Sequence, residues 1–261
     1  MAELLTVRDT HLEVEVHPGE RDGPVLVFLH EGLGSVAHWR DFPAGVASRT
    51  DLPALVYSRR GYGRSSALPA PWGPRFLHEE ATWLPEVLAA AAARFEALRG
   101  RPFVSVGHSD GASIALLQAG CVGPMPYGLI AMAPHVFVED LTVASIAAAR
   151  DGYATSGLSG ALGRYHADAD GMFAAWSGAW LDPAFRTWDM TDVLPRVRCP
   201  VLVMQGLDDA YGTLAQVDAV MEGVAGPAER LLLPGCGHSP PREARQASED
   251  AIVAFVESRL V

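Results

Sequence analysis

Six short, continuously apolar runs constrain this chain more than any other feature: "PVLVFL" (24–29), "ALVY" (54–57), "FVSV" (103–106), "GLIAM" (128–132), "PVLVM" (200–204) and "RLLLP" (230–234). A strand with one wet face alternates apolar and polar residues. A run with no alternation suits a strand buried on both faces, as in a parallel sheet. Helix-like stretches separate the runs, at about 38–49, 77–99, 110–120, 213–224 and 241–260. The Ala-rich "LPEVLAAAAARFEALRG" is the clearest of them, with Gly100 as its stop. Before the first run, Leu4–Val16 alternates and predicts an N-terminal hairpin. Strands alternating with helices predict an α/β fold, a mostly parallel central sheet flanked by helices and linked by right-handed crossovers.

One interval breaks that rhythm. From about His135 to Leu194 no strand-like run occurs, and three of the six tryptophans fall within thirteen residues. The expected organisation is a core domain from 1–134 and 195–261, with 135–194 inserted as a helical cap. Aromatics commonly line ligand pockets, so the cap is expected to serve as a lid. The bland alternative is a small accessory core.

Charge narrows the function classes. The chain carries 31 acids against 20 bases, a net charge of −11, and it contains no lysine. Schiff-base and P-loop chemistry both need a lysine and are excluded. A nucleic-acid surface needs a basic stripe and is not expected. No run of about 18 apolar residues is present to span a membrane. The N-terminal stretch is acidic and alternating, unlike a signal peptide. Cys121, Cys199 and Cys236 lie too far apart to form a disulfide framework or a zinc site. A cytoplasmic location follows as the expectation. No metal and no cofactor is expected. The expected partner is a small-molecule substrate, and a homodimer is admissible.

The chemical signal sits in "FVSVGHSDGASIALL". Gly107-His108-Ser109-Asp110-Gly111 joins a buried strand to a helix, the context a nucleophile elbow needs. Gly107 and Gly111 leave room for the strand and helix to approach, and the helix turns its positive end toward Ser109. A serine hydroxyl needs a base. His238, in the turn of "RLLLPGCGHSPPRE", follows the last strand and lies downstream of the serine. An acid must then orient the imidazole. "PVLVMQGLDDAYG" offers Asp208 and Asp209 beyond a strand end, with Glu139 and Asp140 as further candidates.

These signals, with "HEGLGS" (30–35) and "RRGYGRS" (59–65), resemble the α/β-hydrolase fold superfamily, serine hydrolases of carboxylesterase type with a helical cap. The resemblance covers essentially the whole chain. It implies a catalytic triad of Ser109, Asp209 and His238, since in similar proteins the acid falls three residues after the glycine of a G-x-x-D turn. It also implies an oxyanion hole from the N–H groups of Gly32 and Asp110. The expected activity is cleavage of a small, largely apolar carboxylic ester through an acyl-enzyme on Ser109. Alternatives are a C–C bond hydrolase or lyase of a keto or dienoic acid, and a receptor that binds a small molecule under the cap. An acid substrate would want an arginine, and Arg40, Arg59, Arg60 and Arg64 lie near strand-end loops. Leu33, His135, Phe173, Trp176, Trp180, Trp188 and Tyr211 are the substrate-contact candidates. "GLGSVA" (32–37) also fits a dinucleotide fingerprint, but the next strand ends at Tyr57-Ser58, without the acid that a ribose needs.

Other histidines receive lesser roles. His30 is expected to hold the turn through its backbone, and His108 to do a structural job. His11, His17 and His166 are read as surface residues. Glu31 is the discordant residue, because a carboxylate beside an oxyanion would oppose it. Two like charges 4 Å apart repel by about 4 kcal/mol at an effective dielectric of 20. Glu31 is therefore expected to point away and to accept hydrogen bonds from backbone or from an arginine, Arg60 first. Similar proteins often carry Asp where this chain has Ser58, so Glu31 is also a candidate for the charge missing there.

Overall fold

The computed structural model describes residues 2–260. Eight strands form one sheet: β1 (Glu3–Val7), β2 (Thr10–His17), β3 (Val25–Leu29), β4 (Ala54–Tyr57), β5 (Phe103–His108), β6 (Gly128–Met132), β7 (Val201–Gly206) and β8 (Ala228–Leu233). Their order is β1-β2-β4-β3-β5-β6-β7-β8. The N-terminal hairpin is antiparallel, and β2 pairs antiparallel with β4. Every pairing from β4 to β8 is parallel.

Nine helices link and flank the strands among the described residues: α1 (Phe42–Thr50), α2 (Phe76–Arg94), α3 (Asp110–Cys121), α4 (Asp140–Gly152), α5 (Leu158–Leu162), α6 (Ala169–Trp180), α7 (Leu214–Gly223), α8 (Pro240–Glu243) and α9 (Arg245–Arg259). Strand β3 shows why the apolar runs do not alternate. Val25, Val27 and Leu29 face one core, with side chains of α2 and α3, while Leu26 and Phe28 face the other, with α1 and α9. All five are buried.

Three helix expectations change in detail. The stretch 38–49 splits into a 3₁₀ turn (Ala37–Trp39) and α1, which starts afresh because Pro43 fits only the first turn of a helix. The stretch 77–99 ends as α-helix at Arg94, where Phe95 turns extended, and Gly100 takes a left-handed φ of +71°. The C-terminal stretch breaks at Ala244 into α8 and α9. Helices α4, α5 and α6 fill the interval between β6 and β7. Their buried side chains, among them Ile146, Trp176 and Trp180, join the same core as α2 and α3.

Parallel pairing puts the carboxyl ends of β3, β5, β7 and β8 on one edge. That edge is where open α/β sheets bind ligands. No described helix is long and apolar enough to cross a membrane.

Phe28 is fully buried and meets Trp39 edge-on at 5.5 Å and Phe42 at 6.4 Å. Removing such a ring leaves a cavity as well as losing transfer energy. Phe28→Ala is expected to cost about 3–5 kcal/mol of unfolding free energy, read by urea denaturation. A loss under about 1 kcal/mol would contradict this account of the core.

Candidate active site

Ser109 sits between β5 and α3 with φ 53° and ψ −119°, a backbone state that L-residues rarely adopt. Its N–H bonds to Met132 O at 2.8 Å, which pins the turn to β6. The glycines on each side are sterically required. A Cβ on Gly107 would lie 2.4 Å from Gly111 O, and one on Gly111 would lie 2.0 Å from Leu29 O. The start of α3 therefore rests directly on the end of β3.

His238 Nε2 lies 2.9 Å from Ser109 Oγ, and His238 Nδ1 lies 2.9 and 2.8 Å from the two oxygens of Asp209. A carboxylate only accepts, so Nδ1 carries the proton and the lone pair on Nε2 faces the serine. Asp209 Oδ1 also accepts from the N–H of Tyr211 at 2.8 Å and of Gly212 at 3.3 Å. Burial acts to raise the pKa of Asp209, but the hydrogen bond and charge of His238, with the Tyr211 N–H, hold it below its ordinary value. Asp208 is exposed and does not reach His238. Glu139 is bound to Thr213 and Gln216, and Asp140 pairs with Arg186.

The family model for the alpha/beta hydrolase family matches residues 26–251. The chain belongs to that family. Solved structures agree in fold at low identity. The enol-lactonase from Burkholderia xenovorans LB400 superposes with a TM-score of 0.74 at 19% identity, covering 98% of this chain and 100% of that one. A hydrolase from Pseudomonas aeruginosa PA01 gives 0.71 at 22% identity, covering 98% of each. A thermophilic esterase from Thermogutta terrifontis gives 0.68 at 17%, covering all of both chains. No curated protein matches the sequence.

A cavity of about 160 Å³ in this α/β hydrolase opens on Ser109 and His238. Gly32, Leu33, Asp110, His135, Trp176, Trp180 and Tyr211 line it. Phe173 and Trp188 do not, contrary to expectation. Phe173 stacks on Tyr153 at 3.9 Å, and Trp188 stacks on Phe185 at 5.1 Å. Both rings spend their faces on neighbouring aromatics. Gly32 leaves its open side to Trp176, since a Cβ there would lie 2.0 Å from the indole Nε1. The Asp110 N–H stands at the first position of α3, where a helix supplies no acceptor of its own.

Three rings pack against the catalytic histidine, Tyr211 at 4.8 Å, His108 at 5.5 Å and His135 at 5.6 Å. His135 also lies 5.1 Å from Trp180. Burial, helped by the repulsion of His238, pushes its pKa down to about 3, so it is neutral. Burial likewise pushes His108 down to about 4, and its Nε2 donates to His238 O at 2.7 Å. Asp110 is buried beside Arg59 at 3.7 Å and accepts from Trp180 Nε1 at 3.1 Å. Burial pushes its carboxyl up to about 6 against the pull of Arg59.

The turn at 30–35 is held by neutral histidines. His30 Nδ1 donates to Glu31 O at 2.7 Å, and its Nε2 accepts from the Arg59 N–H at 3.0 Å. His166 is buried and not a surface residue. It accepts from the Gly63 N–H at 2.9 Å and donates to Leu33 O at 3.0 Å. Sequence spacing carries no signal for that contact across 133 residues.

Glu31 accepts from the Leu33 N–H at 2.6 Å and pairs with His38 Nδ1 at 3.1 Å. Arg60 is not its partner, because Arg60 is bound to the buried Glu80 at 2.8 Å. Nor does Glu31 replace an acid at position 58. Glu13 from β2 does so, accepting from Ser58 Oγ at 2.8 Å and from Arg64 Nε at 2.8 Å. The hairpin thus delivers a carboxylate that local sequence does not show.

Burial would raise the pKa of Glu31, but the hydrogen bonds from His38 and the Leu33 N–H hold it well below the ordinary range. A depressed folded pKa gives stability that is present above the unfolded value, near 4.5, and lost as the pH falls toward the folded one. Glu31→Gln is expected to lose about 1–3 kcal/mol at pH 7. By urea denaturation the gap to wild type should narrow between pH 5 and pH 3. A gap that widens on acidification would contradict the assignment.

Proposed function

We propose that this α/β hydrolase cleaves a small carboxylic ester through an acyl-enzyme on Ser109. The observation that carries the reading is the unbroken row Asp209–His238–Ser109, at 2.8 and 2.9 Å, opening into one cavity. His238 takes the hydroxyl proton as Ser109 Oγ attacks the ester carbonyl. The N–H groups of Gly32 and Asp110 receive the oxyanion, each such donor being worth about 3–4 kcal/mol in the barrier. His238 then protonates the leaving alcohol. Afterwards it activates a water that releases the acid and returns the serine. Asp209 holds the imidazole tautomer throughout and stabilises its cation.

The cavity volume argues for a small substrate. A cavity of about 150 Å³ admits a molecule the size of benzene, and this one holds about 160 Å³. Trp176, Trp180 and Ile146 give its inner wall an apolar character. We take 135–194 as the cap over this site, since all three residues come from it. An esterase and an enol-lactonase are among the structural neighbours, which suits the same reading.

The test is a series of 4-nitrophenyl esters from acetate to octanoate. Wild type should favour the short acyl chains. Ser109→Ala and His238→Ala should each lose on the order of 10⁴-fold or more in kcat, and Asp209→Asn about 10⁴-fold. Turnover that survives in Ser109→Ala would overturn the proposal. So would ligand binding in the cavity without turnover of esters or lactones, the behaviour of a receptor. Gly32→Ala, which drives a methyl group into Trp176, should lower kcat/KM on the same esters at least 10-fold. Unchanged kinetics would remove Gly32 from the site.

A further inference from the structure

Arg242 is the one arginine lining the cavity of Ser109 and His238 among the described residues. Arg40, Arg59, Arg60 and Arg64, the candidates near strand-end loops, do not line the cavity. Arg59 is buried against Asp110 and Tyr62. Arg60 is tied to Glu80, and Arg64 to Glu13. Arg40 lies in a neighbouring surface hollow that Arg242 also borders. Arg242 instead projects from α8, four residues after His238.

The guanidinium of Arg242 is exposed, and among the described residues no carboxylate lies within ion-pair distance of it. The acids around it are already engaged. Glu31 is held by His38 and the Leu33 N–H. Glu243 accepts from the N–H groups of Gly237 and Ser239, Asp41 pairs with Arg245, and Asp209 with His238. The one side-chain bond of Arg242 runs from Nη1 to His38 Nε2 at 3.4 Å. An imidazole that accepts at Nε2 carries its proton on Nδ1, which faces Glu31. The remaining guanidinium donors are left without an acceptor from the protein.

We propose that Arg242 binds a carboxylate on the substrate, so that the hydrolase takes an ester or lactone whose acyl part bears a second, free carboxylate. The inference rests on the hydrolase reading and narrows it. The fork of a guanidinium matches a carboxylate with two parallel hydrogen bonds. With a net charge of −11 the molecule as a whole repels anions. Glu31 also lines the cavity, but it is held by His38 and the Leu33 N–H, so the guanidinium without a carboxylate partner favours an anion beside the nucleophile. The apolar wall then takes the methylene chain, with one carbonyl at Ser109 and the free carboxylate at the rim.

The test compares 4-nitrophenyl hydrogen glutarate with 4-nitrophenyl pentanoate, which differ at the chain end. Wild type should prefer the glutarate by kcat/KM. Arg242→Gln should lower that preference about 10- to 100-fold, mainly through KM. Arg242→Lys, which keeps the charge and loses the fork, should fall between. A preference unchanged by Arg242→Gln would overturn the assignment. A second measurement does not depend on turnover. Ser109→Ala is titrated calorimetrically with glutarate, with and without Arg242→Gln. Binding should weaken at least 10-fold in the double variant, and equal binding, or binding to neither, would overturn the proposal. If glutarate binding depends on Arg242 while no ester is turned over, the hydrolase reading fails and the carboxylate site stands.

Discussion

The site depends on how closely helix α3 approaches the end of β3. Gly111 lies so near Leu29 O that a single methyl group would be driven to 2.0 Å from it. That contact fixes the start of α3, and the start of α3 fixes the left-handed backbone of Ser109. The strained turn lifts the hydroxyl off the sheet edge and toward His238. The same closeness brings the 30–35 turn to the nucleophile, so that Gly32 and Asp110 border one cavity. A larger residue at 107 or 111 would push these parts asunder.

Electrostatics around this contact follow from burial. His30, His108, His135 and His166 are all buried and all have depressed pKa values, with burial the leading cause. A neutral imidazole has one donor and one acceptor. His30 and His166 use both to join backbone segments distant in sequence. His238 has different partners, with Nδ1 on the Asp209 carboxylate and Nε2 on Ser109 Oγ. Glu31 belongs to the same scheme. Its charge is stabilised by His38 and a backbone N–H, which turns the discordant carboxylate into a brace for the turn.

Much of this was legible in the chain. Unalternating apolar runs marked the buried parallel strands, because both faces of β3 to β7 are covered. The elbow glycines, Ser109, His238 and Asp209 were legible because each sits at a strand end, where order along the chain predicts position in space. What was missed depends on contacts across long sequence separations. Glu13 reaches Ser58 only because the hairpin pairs beside β4. His166, in the loop between α5 and α6, and Arg242, on α8, reach the site from segments whose orientation no periodicity sets. Phe173 and Trp188 resemble Trp176 and Trp180 in the sequence, and only packing distinguishes them. Arg60 meets Glu80 of α2 and not Glu31, a contact that local sequence does not signal.

The most direct measurement is intact-protein mass spectrometry after exposure to an organophosphonate ester that phosphonylates activated serines. The account predicts one adduct, mapped by peptide fragmentation to Ser109. It predicts that the adduct forms on the order of 10³-fold or more slowly in His238→Ala, where the serine has lost its base. No adduct on Ser109 in the wild type, or labelling at the same rate without His238, would contradict an activated nucleophile at this position.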